Sequence, residues 1–313
     1  MYNIATLVVG LIQVLVMLAL APLLTGIIRK TKARTQKRIG ASILQPYYDL
    51  LKLVQKDEVV SDQTSWIFRA CPWVNFAAMA TAAFFIPVFL VYTPFGLVGD
   101  LLLVIGLFAL GRFFTMLAGL DVASSFGGLG SSREMMISAL LEPALFLSIF
   151  VVAITYGGTN LSTTIEASSI SSFLPHPQII FAAIGLFIII LGETGRLPFD
   201  NPATHLELTM VHETMILEYS GKSLALMEWS QSIKQIILFT LMVNIFVPWG
   251  ISSSILLPSL AVGFFMFAGK ISLFGIFVAF LESSVAKWRL FRIPDLIAIA
   301  IATSMIGIVL CYL

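Results

Sequence analysis

The chain has 313 residues, 58% of them hydrophobic and 11% charged, less than half the charged share of roughly 25% in an ordinary soluble domain. Its 18 Lys and Arg against 17 Asp and Glu leave a net charge of +1, so no broad basic face exists for a nucleic acid. The two cysteines, Cys71 and Cys311, lie in or beside apolar runs at opposite ends of the chain. They are too few and too scattered for an iron–sulfur cluster or structural zinc, and no disulfide is required.

Crossing about 30 Å of hydrocarbon takes about 20 helical residues, and eight apolar runs meet that length: 4–28, 70–92, 101–120, 135–156, 173–192, 235–257, 259–281 and 296–313. The expectation is an all-α polytopic membrane protein of eight transmembrane helices, one transmembrane domain over residues 1–313, in the cell (inner or cytoplasmic) membrane. The first run lacks a preceding basic region and a cleavage site and is followed at once by Arg29 and Lys30, which predicts a retained helix rather than a signal peptide. Sixteen of the 18 Lys and Arg fall in the loops after runs 1, 3, 5 and 7, and the alternate loops carry none. The positive-inside rule then puts those loops in the cytoplasm and both termini outside.

Two cytoplasmic loops, 29–65 and 194–234, are too long to be simple connections. In the first, Tyr47, Leu50, Leu51 and Val54 recur at helical spacing while Asp49, Lys52 and Lys56 turn elsewhere, which predicts an amphipathic helix along the membrane surface. It is either a lipid-interface anchor, which the upstream basic cluster suits, or a docking surface for a soluble partner. The candidate docking residues are Arg34, Lys37, Arg38, Asp49 and Lys52.

The Gly127-Gly128-Leu129-Gly130 stretch has no following Lys and no preceding strand, so it reads as a flexible turn between helices, not a phosphate loop. In the second long loop, Gly192, Gly195, Pro198 and Pro202 forbid a continuous helix. Broken backbone at membrane depth needs surrounding protein or a cavity. A helix capped by Asp200 or Asn201, with Pro202 in its first turn, is expected to run to about Ser220. On it Glu207 and Glu218 would share one stripe and His205 and His212 another. Two carboxylates on a stripe fit a proton or ion path; a solvated polar face fits equally well for Glu207. His212-Glu213-Thr214-Met215-Ile216 begins like a zinc-protease motif but has Ile216 where the second histidine belongs, which rules out that chemistry.

Within the predicted helices Glu142, Arg112 and Lys270 each cost about 2.5–3.5 kcal/mol or more unless paired or hydrated, so they should face one another. For Arg112 and Lys270 a packing ion pair or snorkelling competes with a functional role. Glu142, with a short side chain followed by Pro143, is the stronger functional candidate.

Residues 34–59 (RTQKRIGASILQPYYDLLKLVQKDEV), residues 118–143 (AGLDVASSFGGLGSSREMMISALLEP), and Glu193-Thr194-Gly195-Arg196-Leu197-Pro198-Phe199-Asp200 with Glu218-Tyr219-Ser220-Gly221 resemble the subunit 1 family of respiratory complex I. The resemblance covers essentially the whole chain. Gln45-Pro46-Tyr47-Tyr48-Asp49-Leu50, Gly119-Leu120-Asp121, Ser132-Arg133-Glu134 and Asp200-Asn201-Pro202-Ala203-Thr204-His205 are more similar to the membrane anchor subunit of membrane-bound nickel-iron hydrogenases of the formate hydrogenlyase and hydrogenase-4 type.

The resemblance implies a subunit without its own cofactor or catalytic centre. Its implied partners are the hydrogenase large and small subunits and iron–sulfur subunits, which would hold the nickel-iron centre and the clusters, together with antiporter-like membrane subunits and membrane lipid. Glu142, Glu193, Glu213, Glu218 and Glu228 match family acids implied to carry a lateral proton or sodium path. Arg196, Pro198, Phe199, Asp200 and Tyr219 match the loop that would couple electron transfer to it. The departures at 195–197 and 201–205 put quinone binding in doubt, although the quinone-site subunit of an NADH dehydrogenase is the alternative. A stand-alone transporter would need paired broken helices in inverted repeats; the chain has one broken segment and no matching partner.

Overall fold

The computed structural model describes residues 4–91, 93, 100–170, 176–200, 210–252 and 254–313. Eleven helices are named among them: α1 (Ile4–Thr35), α2 (Gln45–Val54), α3 (Trp66–Phe84), α4 (Leu101–Asp121), α5 (Ser125–Tyr156), α6 (Leu161–Ile170), α7 (Pro177–Glu193), α8 (His212–Ile216), α9 (Gly221–Phe246), α10 (Leu257–Ser284) and α11 (Ile293–Tyr312). No strand is formed among the described residues, only isolated bridges. Helices occupy all eight of the expected apolar segments. Five of them (α1, α4, α5, α10 and, with the turn before it, α11) are long and apolar enough to cross a membrane. Helix α7 is apolar but shorter, and α9 carries Lys222, Glu228 and, at its middle, Lys234.

Several boundaries differ from expectation for physical reasons. The expected turn at 127–130 is helical, because α5 begins at Ser125, where the Ser124 hydroxyl caps the Gly127 N–H at 3.0 Å. Those glycines serve packing: a Cβ at Gly127 would strike the Gly119 carbonyl of α4, and one at Gly130 would strike the Thr214 hydroxyl of α8. The loop expected over 194–234 is shorter, since α9 starts at Gly221. The helix expected to run to Ser220 is confined, among the described residues, to His212–Ile216. Glu218 therefore sits in an exposed turn and not on a helical stripe; its expected companion Glu207, and His205, expected to share a stripe with His212, lie outside the described residues.

The run expected to stay helical to Tyr92 ends at Phe84. Beyond it a buried non-helical segment is satisfied by side chains. Gln13 Oε1 accepts from the Val88, Phe89 and Leu90 N–H groups at 3.0–3.1 Å, and Asn244 Nδ2 donates to the carbonyls of Pro87 and Val88. Such partners are what non-helical backbone needs away from water.

The amphipathic helix forms as α2, with Pro46 in its first turn. The Ile43 carbonyl just ahead of it presses on α1 where Gly26 has no side chain, and the Tyr47 hydroxyl donates to the Ala19 carbonyl. Tyr48, Leu51 and Val54 remain exposed. Arg34, Lys37, Arg38 and Lys52 are exposed and Asp49 is half-buried, accepting from Gln45 Nε2 at 2.8 Å.

Candidate functional site: a buried ion network

Charged side chains from within α4, α5 and α9 and from the C-terminal ends of α7 and α10 converge. Arg112, in α4 and 7% exposed, reaches three carboxylates. Its Nη2 donates to Glu193 of α7 at 2.6 and 2.5 Å, its Nη1 donates to Glu142 of α5 at 3.1 Å, and its Nε lies 3.9 Å from Glu134. Lys234 of α9 approaches Glu193 at 2.8 Å. On the other side of Glu134, His212 Nδ1 of α8 stands 3.5 Å from its Oε2. Three carboxylates thus meet a guanidinium, a lysine amine and one imidazole.

A second group follows in the chain. The α7 helix closes at Thr194, Gly195 takes φ +59°, and the Arg196 N–H donates back to the Leu191 carbonyl at 2.8 Å. That left-handed turn is open to glycine at low cost, and it turns Arg196 toward Glu282 of α10 (3.1 Å) and Gln235 of α9 (2.8 Å). Lys32 of α1 pairs with the same Glu282 at 3.1 Å. Leu197, Phe199 and Asp200 are buried. Asp200 Oδ2 accepts the Val211 N–H at 3.0 Å and its Oδ1 meets Lys287 at 2.6 Å, while the Trp288 N–H donates to the Pro198 carbonyl at 3.0 Å. The loop after α10 therefore clasps the 196–200 loop.

Tyr219 closes the far side. Its ring stacks on Phe68 at 4.0 Å and its hydroxyl donates to the Phe68 carbonyl at 2.8 Å. Burial pushes this hydroxyl well above the usual tyrosine range, so it stays protonated as a donor. The Ser220 hydroxyl exchanges hydrogen bonds with the N–H and carbonyl of Val59, which ties the first long loop to the start of α9.

Of the residues singled out in the sequence, Arg112, Glu142 and Glu193 meet directly. Arg196, Pro198, Phe199 and Asp200 form one buried loop beside them. Lys270, expected to face Arg112 and Glu142, instead donates to the Val247 carbonyl past the end of α9 at 2.9 Å; its long stem reaches the polar end of a helix, where a free carbonyl attracts a cation. Glu218 and Glu228 are exposed, Glu213 is half-buried on α8, and Glu207 lies outside the described residues. Sequence reasoning missed Glu134, His212, Lys234, Glu282, Lys32 and Lys287 as members of the network. The available signal was charge next to apolar runs: Glu134 borders run 4, Lys234 borders run 6 and Glu282 borders run 7. No group of three His, Cys, Asp or Glu that could hold a metal ion occurs among the described residues.

A family model described as NADH dehydrogenase matches residues 7–312. The chain belongs to this family. It is 36% identical over 283 residues to formate hydrogenlyase subunit 4 of Escherichia coli, covering 90% of each chain. It is 35% identical over 281 residues to hydrogenase-4 component C of the same organism, covering 90% of this chain and 88% of that one. An NADH-quinone oxidoreductase subunit of Orientia tsutsugamushi is more distant, at 26% identity with 92% of this chain and 83% of that one covered. The fold is shared with a chain of the membrane-bound sulfane sulfur reductase, an archaeal respiratory membrane complex, at a TM-score of 0.83 and 23% identity, covering 98% of this chain and all of that one. These relatives and the apolar helices make the chain a multi-pass membrane protein of the subunit 1-like family.

Proposed function

We propose that this chain is the membrane subunit that docks a soluble nickel-iron hydrogenase arm and couples its electron transfer to proton or sodium translocation. In this reading it spans the cytoplasmic membrane eight times with both termini outside, and the charged loops and the network's ends face the cytoplasm. The observation that carries the reading is the convergence of Arg112, Glu134, Glu142 and Lys234 from within three helices on Glu193 at the end of α7 and its neighbours. Buried charge of this kind is costly in a membrane protein and marks a functional site by default, ion paths and proton relays among them. It is contiguous in the chain with the buried loop 196–200, so a displacement of that loop reaches Glu193 through two or three residues. Charge rearrangement in the soluble arm would shift the loop, the loop would redistribute Arg196 between Glu282 and Gln235, and the change in field would move the proton affinity of Glu193 and its neighbours. The higher identity to the formate hydrogenlyase and hydrogenase-4 relatives favours a hydrogenase arm over a quinone-reducing one.

The test is mild detergent extraction of the tagged protein with mass spectrometry of the co-purifying subunits and metal analysis. Nickel at roughly one equivalent, with a hydrogenase-like large subunit, is the expected result. A flavin-containing NADH module with bound quinone and no nickel would move the chain to the quinone-site reading.

A further inference from the structure

Among the buried atoms of the network that have no hydrogen-bond partner among the described residues, which include Arg112 Nε and Gln235 Nε2, two face each other: Glu134 Oε2 and His212 Nδ1, 3.5 Å apart. Without a hydrogen on Nδ1, a lone pair opposes a carboxylate oxygen and both groups carry the full cost of burial without a partner. A proton between them satisfies both at once. The local charge points the same way, since Glu134, Glu142 and Glu193 outnumber Arg112 and Lys234 by one. The Glu134 and Arg112 side chains are 6% and 5% exposed, whereas the His212 side chain is 23% exposed, so the imidazole reaches from the carboxylates toward solvent.

We propose that His212 is the proton-exchanging residue of the network, accepting a proton from the solvent side and passing it to Glu134. This rests on the ion-coupling reading above. In the step the Nδ1–H bond breaks as the Glu134 Oε2–H bond forms. Imidazolium and carboxylate become neutral imidazole and carboxylic acid, and a hydronium ion on the exposed side restores the imidazolium and leaves as water. Protonating Glu134 removes one of the three negative charges around Arg112, leaving that guanidinium to Glu142 and Glu193. Helix α8 packs on α4 and α5; from α5, Glu134 faces His212 and Arg133 donates to the Met210 carbonyl at 3.1 Å, and from α4, Arg112 lies beyond Glu134. The preceding loop brings Asp200, which accepts the His212 N–H at 3.4 Å and holds Lys287, and α8 itself carries Glu213. The ring is also seated against the backbone of Gly195, where a Cβ would stand 3.4 Å from Nδ1. A movement of the coupling loop thereby acts on the imidazole directly.

The experiment uses inverted membrane vesicles holding the native complex, with hydrogen evolution from a reduced viologen and proton uptake by a fluorescent dye recorded together. His212→Gln and His212→Asn keep a polar side chain but carry no exchangeable imidazole proton. Both are expected to lower proton uptake per hydrogen about tenfold or more, with hydrogen evolution retained. His212→Ala is expected to lose uptake and to regain a substantial part of it when imidazole is added to the medium. Wild-type uptake in His212→Gln, or loss in His212→Ala that imidazole does not rescue, overturns the proposal, the second by showing a structural role. Glu142→Gln in the same assay separates the two claims. Its loss of uptake beside a normal His212→Gln sinks only the histidine step, whereas normal uptake in both sinks the coupling reading as well.

Discussion

Replacing Arg112 by Leu tests how the network is held. Among the described residues, the guanidinium is the one group that touches Glu134, Glu142 and Glu193 together. Its loss leaves Glu193 with Lys234 alone and Glu134 with His212 alone. Removing one partner of a buried ion pair costs about 3–5 kcal/mol, because the remaining charge stays desolvated. Glu142, with its side chain 36% exposed, can turn toward water and adds little. The expected destabilisation lies in that range and is carried chiefly by Glu193. In the double variant Arg112→Leu/Glu193→Gln the buried charge goes with its partner, and residues in direct contact couple by about 0.5–3 kcal/mol. The double variant should therefore recover about 1–3 kcal/mol relative to the single one. Urea titration of the purified detergent-solubilised complex, followed by a reporter on this subunit, gives both values. An Arg112→Leu protein as stable as wild type, or a double variant whose loss is the sum of the single ones, would refute the argument that Arg112 is the hub.

The remaining predictions address separate parts of the account. Lys270→Met should leave proton uptake per hydrogen at the wild-type value, because Lys270 engages the Val247 carbonyl and not the network; a large loss would show a second path. Reversal of Arg34, Lys37 and Arg38 to Glu should release soluble subunits into the wash fraction of isolated membranes, and unaltered retention would favour the lipid-anchor role for this loop. Gly130→Ala should destabilise by about 1–3 kcal/mol, typical of overpacking, since the new methyl group meets Thr214; unchanged urea midpoints would show that α8 yields freely. Tyr219→Phe keeps the stack on Phe68 but orphans a buried carbonyl, at a cost of about 1–3 kcal/mol measurable in the same titration.

Much of the helical plan is legible in the sequence, because apolar runs of about 20 residues admit few other structures. Helix ends are less so. The apolar run of α9 reads from residue 235 onward because Lys222, Glu228 and Lys234 interrupt the helix up to its middle, yet Lys234 is buried against Glu193. The glycines of 127–130 look like a turn in sequence, and only the neighbouring Gly119 carbonyl and Thr214 reveal why helix α5 needs them small. Arg112, Glu142 and Glu193 stand out as ionisable groups within or at the end of apolar runs. Glu134, Lys234 and Glu282 do not, because each borders a run and reads as a solvated loop charge until the tertiary fold buries it. The Lys270 expectation fails for a related reason: hydropathy locates a charge along a helix but does not say which neighbour its long side chain reaches.

The measurement that bears most directly on the central claim is Glu193→Gln in inverted vesicles, with hydrogen evolution and proton or sodium uptake recorded on one preparation. Glu193 links Arg112 to Lys234 and lies three residues before Arg196, so the account predicts normal hydrogen evolution with ion uptake reduced at least tenfold. Uptake at the wild-type ratio to hydrogen, in a complex that retains all its subunits, would contradict it.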